Sequence, residues 1–234
     1  MKRLLYLSLF LNVLALGAAG FAVHRLGGWK YTVLRLQRQT TGLYHHRVQH
    51  FERLSECPRS IVFLGDSQTE QAEWSELFPE GPPVLNRGIS GDFSEGVMER
   101  LPEILRHKPL KVFLLIGVND LIFGNSVSEI ESVYRSIVQK IRSESPDTEL
   151  FLQSLLPINN EIRNAGATND KITELNTRVL QIAHDFAIPY LDIATPLKDA
   201  DGNLAAKFTE DGLHLNGLGY LVWKKEIEKV AMVE

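Results

Sequence analysis

Cysteine is nearly absent from this chain of 234 residues, and neither sign of charge dominates its composition. The single cysteine, Cys57, excludes a disulfide within the chain and a zinc site built from paired cysteines. Lysine and arginine number 25 against 29 aspartate and glutamate, which gives a formal net charge of −4. Nucleic-acid binding normally requires a clustered basic surface, so we expect no nucleic-acid partner.

Several common catalytic and phosphate-binding motifs are also missing. The sequence has no G-x-S-x-G nucleophile elbow, no G-x-x-x-x-G-K-[ST] phosphate loop and no G-x-G-x-x-G after its first predicted strand. The stretch from Asp199 to Asn203 is similar to a calcium-binding loop, but Leu204 stands where such a loop needs glycine. We interpret that stretch as a turn, and the sequence predicts no cofactor and no metal site.

Charged side chains are missing from the whole run between Leu4 and Val23. The run is about as long as a helix that crosses a bilayer core of roughly 30 Å, and it therefore predicts a membrane anchor. Its small residues at 17–20 keep a cleavable signal peptide open as the alternative. We expect membrane contact through residues 4–23 and an exported catalytic domain, either anchored or secreted and periplasmic after cleavage. The orientation stays open because basic side chains lie on both sides of the run, at Lys2, Arg3, Arg25, Lys30, Arg35 and Arg38.

Residues 29–57 are polar and basic, with apolar residues at helical spacing. This pattern predicts one or two helices that lead away from the membrane as a stalk. Within it, His46 and His50 stand four residues apart beside His45, a spacing that could ligate a metal on one helix face. No carboxylate-rich motif accompanies the three histidines, so we interpret them as a solvated helix surface.

After Pro58 the pattern changes to short apolar runs, each followed by a polar turn and a longer helical stretch. This alternation predicts successive βα units, and strands that are apolar on both faces are typical of a parallel sheet covered by helices. We therefore expect a three-layer α/β/α domain over residues 58–234, preceded by a membrane or signal segment at 1–28 and the stalk at 29–57. The predicted strands are Ile61–Leu64, Val84–Leu85, Val112–Ile116, Leu150–Leu155 and Ile188–Ile193. The clearest predicted helices are Val127–Arg142, Lys171–Phe186 and Leu218–Val230.

Polar, glycine-containing motifs follow three of the predicted strands, and a fourth motif precedes the last helix. They are Gly65-Asp66-Ser67, Asn86 to Asp92, Gly117 to Asp120 and Asp211-Gly212-Leu213-His214. In open α/β sheets, ligands bind beyond the carboxyl ends of the strands, near the point where strand order reverses. Each motif is weak alone, but their order and placement together predict one catalytic cleft.

The residue types in these motifs suit attack on an ester. A serine hydroxyl becomes a good nucleophile when a base such as histidine removes its proton. Asp211 lies three residues before His214, so a single loop can orient the imidazole toward Ser67. Backbone N–H groups and an asparagine amide can stabilise the charge that grows on the carbonyl oxygen, and Gly91 and Asn119 offer such donors. Gly91 also permits unusual backbone angles and close approach by a substrate.

The segments IVFLGDSQTE, NRGISGD, LIGVND and DGLHLNGLGY make residues 60–232 resemble the SGNH, or GDSL-type, hydrolase superfamily. They look closest to the branch with platelet-activating-factor acetylhydrolase-like and carbohydrate O-acetylesterase-like enzymes. The resemblance implies a flavodoxin-like five-stranded parallel sheet and a triad in which Ser67 is the nucleophile and Asp211 and His214 complete it.

By the same resemblance, the backbone of Ser67, Gly91 and the Asn119 side chain form an oxyanion hole. Gly88 is the alternative to Gly91, which we prefer because the donor glycine of this family directly precedes an aspartate. Ser67 could instead serve only as the N-cap of the following helix. Trp74 and Arg87 could line the substrate pocket or belong to the core.

Together these features predict a serine esterase that removes a short acyl group, expected to be acetyl, from a carbohydrate or lipid through an acyl-enzyme. A small-molecule ester is the expected partner, and the sequence does not predict the oligomeric state. An O-acyltransferase that uses the same site and a non-catalytic binding module stay open as alternatives. A further alternative is a metal-dependent phosphoesterase with Asp66, Asp120, Asp211 and His214 as ligands.

Overall fold

The computed structural model describes residues 2–25 and 42–231 of the chain. Helix α1 spans Lys2–Arg25. Within these two ranges no helix combines the length and the apolar content that crossing a membrane requires. The structure therefore does not support the predicted membrane segment over residues 4–23, and export of the catalytic domain stays a prediction.

Five parallel strands form one sheet in the order β2-β1-β3-β4-β5. This order confirms the predicted flavodoxin-like sheet. Four strands agree with the predicted runs to within a few residues, whereas β5 is shorter because Pro189 has no N–H and the N–H of Ile193 bonds to Leu191 and Ser154 instead. The strands are β1 Ile61–Gly65, β2 Val84–Gly88, β3 Lys111–Leu115, β4 Glu149–Gln153 and β5 Tyr190–Leu191.

Helices cover both faces of the sheet, which gives the predicted three-layer α/β/α arrangement. Besides α1, the helices are α2 Leu43–Arg53, α3 Ser67–Glu70, α4 Trp74–Leu77, α5 Ser94–Glu99, α6 Leu101–Leu105, α7 Val118–Ile122, α8 Val127–Glu144, α9 Asn169–Asp185 and α10 Gly217–Ala231. Two 3₁₀ turns, Thr195–Leu197 and Ala206–Phe208, lie between β5 and α10.

The apolar side chains of the central strands point alternately to two separate cores. Val62 and Leu64 of β1 pack with α5, α6, α8 and α9, whereas Ile61 and Phe63 pack with α4 and α10. This alternation follows from the two-residue period of a strand. Because both faces are buried, the strands read as continuous apolar runs in the sequence.

Helices α8 and α9 begin where their capping residues predict. The Ser126 side chain accepts a hydrogen bond from the Glu129 N–H, and the Glu129 carboxylate accepts one from the Ser126 N–H, which forms a capping box. Thr168 caps α9 through the Lys171 N–H. Their apolar faces, with Ile130, Tyr134 and other residues at three- and four-residue spacing, cover one side of the sheet.

The segment predicted as a stalk packs against the α/β/α domain where the structure describes it. Phe51 of α2 is buried, and it shares a small core with Tyr44 and with Ile89 from the loop after β2. The Tyr44 hydroxyl donates to the Gly96 carbonyl over 3.0 Å, and the Arg106 guanidinium donates to the Phe51 carbonyl over 2.8 Å. Over 43–53 the chain forms a helix as predicted, and the apolar spacing on α2 reflects a face that packs on the domain. That residues 29–57 lead away from a membrane as a stalk stays a prediction. The division of the chain at 28 and 57 stays a prediction.

Candidate active site

Ser67 stands at the first position of α3, directly after β1, and is 8% exposed. The N-cap of this helix is Asp66, whose Oδ1 accepts a hydrogen bond from the Gln68 N–H over 3.0 Å. Capping is therefore performed by Asp66, and the alternative in which Ser67 serves only as the N-cap is wrong. The Ser67 hydroxyl is left available for another partner.

That partner is His214, which comes from the loop before α10, 147 residues further along the chain. The His214 Nε2 lies 2.9 Å from the Ser67 Oγ, and the His214 Nδ1 lies 2.7 Å from Oδ2 of Asp211. A carboxylate at Nδ1 selects the tautomer with a proton there, which leaves Nε2 free to accept the serine proton. The structure thus brings the three residues of the predicted triad into one hydrogen-bonded line.

The aspartate of this line is held in its ionised form. Oδ1 of Asp211 accepts the N–H groups of Leu213 and His214 over 3.0 and 2.8 Å. Partial burial raises the pKa of Asp211, but these bonds and the His214 ring outweigh burial and lower it to about 2. The carboxylate therefore keeps its charge at any pH where a histidine can act as a base.

Two further contacts tie the serine loop to the histidine loop. The Gln68 side chain donates to the Leu213 carbonyl over 3.0 Å, and the Tyr220 hydroxyl of α10 donates to the Gln68 carbonyl over 2.8 Å. Gln68, the residue after Ser67, therefore bonds both to the histidine loop and to α10, which ties together two segments that are remote in the sequence.

Three predicted hydrogen-bond donors lie at the carboxyl ends of β1, β2 and β3, as expected for the switch point of this sheet. The N–H groups of Ser67 and Gly91 have no acceptor among residues 2–25 and 42–231. The amide of Asn119 donates to the Asp92 carbonyl over 3.0 Å, which joins β3's motif to the loop after β2 and leaves its second N–H for a ligand.

The two glycines of the second motif differ in their surroundings. Gly91 has a φ of +74° with nothing within 4 Å of an added Cβ, so glycine serves the backbone conformation there and the position is open. At Gly88 an added Cβ would lie 2.2 Å from the Glu70 nitrogen, so this glycine lets β2 pack on α3. The open position favours Gly91 over Gly88 as a donor to substrate.

Buried charges support the loop that carries Gly91. The Arg100 guanidinium donates to Oδ2 of Asp92 over 2.9 Å and to the Gly65 carbonyl over 2.9 Å, so one side chain joins the second motif to the end of β1. Asp120 accepts the hydroxyl and the N–H of Ser94 over 2.7 and 3.0 Å. The acidic residues of the three motifs are thus structural partners of the loops.

Burial raises the pKa of two of these carboxyl groups. The pKa of Asp66 rises to about 7, because burial and the nearby Asp92 and Asp120 outweigh the Gln68 N–H and Arg100. The pKa of Asp120 rises to about 6 through burial, against the hydrogen bonds from Ser94. Oδ2 of Asp66 has no hydrogen-bond partner among the described residues, which adds to the cost of its charged form.

A raised carboxyl pKa makes the free energy of unfolding fall as pH rises from about 4 toward 7, because the folded state binds a proton that the unfolded state releases. We expect Asp66→Asn, which keeps the cap oxygen, to remove this loss. The melting temperature of the variant relative to wild type should therefore be higher at about pH 8 than at about pH 4.5, as measured by circular dichroism. Asp147→Asn, at an exposed carboxylate, is the control; an equal offset at both pH values would contradict the prediction.

The other candidate residues lie outside the site. Trp74 is 1% exposed and stacks on Phe63 at 3.8 Å, so it belongs to the core. Arg87 is buried against Glu103 and His107, and His45, His46 and His50 are exposed on α2, as interpreted from the sequence. The stretch after Asp199 is the predicted turn, in which the Asp199 carboxylate accepts two backbone N–H groups.

The metal-dependent alternative finds no support in these positions. Over the ranges 2–25 and 42–231, no three His, Cys, Asp or Glu side chains are placed to share an ion. Asp66 caps α3, Asp120 binds Ser94, and only Asp211 and His214 of the proposed ligand set meet.

Sequence reasoning missed four residues that hold the site together: Gln68, Glu70, Arg100 and Tyr220. Gln68 and Glu70 follow Ser67 in the segment IVFLGDSQTE, and Tyr220 ends the segment DGLHLNGLGY, so their proximity to the motifs in sequence is the available signal. Arg100 has no such signal, because it lies eight residues beyond Asp92 inside a helical stretch.

Comparison with known proteins places this arrangement among acyl hydrolases. The model of the GDSL-like Lipase/Acylhydrolase family matches residues 63–222. A solved structure from Streptococcus pneumonia, provisionally described as a platelet activating factor, superposes with a TM-score of 0.76 at 28% identity and covers 85% of this chain and 97% of that one.

Two curated proteins are similar in sequence. The platelet-activating factor acetylhydrolase IB subunit alpha2 of Gallus gallus is 26% identical over 193 residues, which cover 79% of this chain and 82% of that protein. The N-acylneuraminate cytidylyltransferase of Escherichia coli O18:K1:H7 is 27% identical over 201 residues, 82% of this chain. This chain spans 46% of the length of that cytidylyltransferase.

Proposed function

Because this chain belongs to the GDSL-like lipase/acylhydrolase family and is a GDSL-type serine hydrolase, we propose that it hydrolyses short-chain acyl esters, above all acetyl esters, of a polar alcohol such as a sugar. The observation that carries the proposal is the contact of 2.9 Å between the Ser67 Oγ and the His214 Nε2. No cofactor takes part in the proposed reaction.

In the proposed mechanism, the Ser67 oxygen attacks the ester carbonyl while His214 Nε2 takes its proton. Asp211 stabilises the imidazolium that forms. The tetrahedral oxyanion accepts hydrogen bonds from the N–H groups of Ser67 and Gly91 and from the Asn119 amide. When the intermediate collapses, His214 gives its proton to the departing alcohol, which leaves an acyl group on Ser67. Water, activated by the same imidazole, then releases the acid and restores the serine.

The preference for a short acyl group is supported by the polar surroundings of Ser67. The side chains of Asp211 and His214 are 33% and 25% exposed, and the guanidinium of the exposed Arg163 lies 4.0 Å from the Asp211 carboxylate. Each buried methylene of a longer acyl chain would contribute about 0.8 kcal/mol, but only against an apolar wall. The Gallus gallus relative is an acetylhydrolase, which agrees with this preference.

The proposal is tested by kcat/KM on p-nitrophenyl acetate, butyrate and octanoate. We expect the acetate ester to be hydrolysed best, with kcat/KM falling along the series. An apolar acyl channel would instead raise kcat/KM about 15-fold from acetate to butyrate, at about 0.8 kcal/mol for each of the two added methylenes. A rise of this kind would contradict the short-chain preference. If the wild-type protein hydrolyses none of the three esters, the proposed esterase activity is wrong.

A further inference from the structure

The helix α2 lies beside the loop that carries Gly91. Its Arg47 Nε lies 3.2 Å from Oε1 of Glu70, the last residue of the helix that Ser67 begins. The other oxygen of Glu70 accepts the N–H of Ser90 over 2.7 Å and also a hydrogen bond from the Ser90 hydroxyl. A chain of three side chains thus connects α2 to the residue that precedes Gly91.

Gly91 occupies a turn whose conformation decides where its N–H points. The Asp92 N–H donates to the Ile89 carbonyl over 3.0 Å, so Ser90 and Gly91 are the two central residues of this turn. The positive φ of Gly91, +74°, is typical of a type II turn, which differs from type I by a flip of the central peptide. The N–H of Gly91 belongs to that central peptide, and a flip would turn it away from the site.

Glu70 acts on this peptide through Ser90. It accepts hydrogen bonds from both donors of Ser90, the backbone N–H and the hydroxyl, and it lies three residues after Ser67 on the same short helix. These hydrogen bonds therefore fix the position of the Gly91 N–H relative to helix α3, which begins with Ser67. No other hydrogen bond to the side chain or N–H of Ser90 exists among the described residues.

Arg47 contributes charge and not a directed hydrogen bond. Its Nε–H is buried without a hydrogen-bond acceptor in the described part of the chain, although it lies within ion-pair distance of Glu70. The guanidinium stacks over the Phe51 ring at 4.6 Å, and the Arg87 guanidinium lies on the same ring at 4.5 Å. Because Phe51 is 3% exposed, this stacking fixes the cation beside Glu70.

We propose that Arg47, Glu70 and Ser90 are positioning residues that hold the Gly91 N–H toward the oxyanion, which makes helix α2 a working part of the active site. Arg47 holds the orientation of the Glu70 carboxylate, which in turn prevents the central peptide of the turn from flipping. The inference rests on the proposed function, since it assigns a role in stabilising the oxyanion of an ester.

The test compares Glu70→Ala, Glu70→Gln, Ser90→Ala, Arg47→Gln and Arg47→Lys in the full chain with p-nitrophenyl acetate. We expect Glu70→Ala to lower kcat about 10- to 100-fold, a part of the roughly 10²- to 10³-fold effect of one oxyanion donor, with KM nearly unchanged. Arg47→Gln should lower kcat about threefold to fivefold, as a partly exposed ion pair has a modest effect. Arg47→Lys should restore most of that loss, because charge alone is needed.

The measurement that separates positioning from general structural support is the affinity for phenylboronic acid, which forms a tetrahedral anionic adduct on a serine. Its inhibition constant should rise in the same proportion as kcat falls across the series. Arg47→Gln should have no further effect in the Glu70→Ala background, since its action passes through Glu70. Glu76→Gln, at an exposed carboxylate of α4, is the matched control and should behave like wild type.

Several results would overturn the inference: a kcat of Glu70→Ala within about twofold of wild type, a change confined to KM, or an unchanged boronate affinity. If Glu70→Ala does not fold, the milder Glu70→Gln and Ser90→Ala variants decide by the same criteria. If the wild type is active and the variants are equally active, this inference alone is wrong. If the wild type has no esterase activity, the proposed function is wrong.

Discussion

Ser67→Ala is expected to lower kcat/KM on p-nitrophenyl acetate by about 10⁴-fold or more, because the variant lacks the oxygen that forms the acyl-enzyme. The fold should be unaffected, since Asp66 and not Ser67 caps α3. The measurement pairs initial rates with a thermal melt, and intact mass after treatment with a fluorophosphonate should show one adduct on wild type and none on the variant.

The control for this prediction is Ser75→Ala, at an exposed serine of α4 on the same connection between β1 and β2. It should keep wild-type activity and labelling. An active Ser67→Ala variant would contradict the assignment of the nucleophile. A wild type that binds acetyl esters for hours and returns them intact would favour the binding module over the esterase.

Asp211→Asn should lower kcat by about 10⁴-fold, nearly as much as loss of the serine. The reason lies in the loop itself. Oδ1 of Asp211 accepts the N–H groups of Leu213 and His214, so an asparagine would turn its single carbonyl oxygen toward them. Its NH₂ group would then face Nδ1 of His214 and select the tautomer with a proton on Nε2. That tautomer donates to Ser67 and cannot take its proton.

The pH dependence adds a second readout to this prediction. The pKa of Asp211 is about 2, so protonation of this carboxylate should make no contribution to the rate profile above about pH 4. Asp199→Asn is a close control, because Asp199 accepts two backbone N–H groups in the same way but faces no histidine. If the Asp211→Asn variant retains about a tenth or more of the wild-type kcat, the proposed role of Asp211 in selecting the His214 tautomer is wrong.

The sequence alone was sufficient for features that depend on local pattern. Strands β1, β3 and β4 are buried on both faces over most of their length, so they appear as apolar runs, and these three strands and β2 were found to within a few residues. Helix α8 was found from its apolar spacing because one face covers the sheet. Asp211 and His214 could be paired in advance because three residues of one loop separate them.

Contacts between segments that are remote in the sequence could not be predicted from local pattern. Trp74 packs on Phe63, and Arg87 binds Glu103. Both contacts depend on which helix covers which face of the sheet. From the sequence, either residue could have lined the pocket or belonged to the core. The packing of α2 on the domain over 43–53 was not predicted, because the apolar spacing of a helix does not identify the neighbour that it packs on.

The sequence by itself thus determined the class of fold, the order of the motifs and the residue types available for chemistry, since these follow from periodicity and local spacing. Only the tertiary structure decided that the Ser67 Oγ meets the His214 Nε2 at 2.9 Å across 147 residues, and that Arg47 reaches Glu70 beside the Gly91 turn. Such contacts depend on how strands, helices and loops pack together, and no local pattern in the chain records that packing.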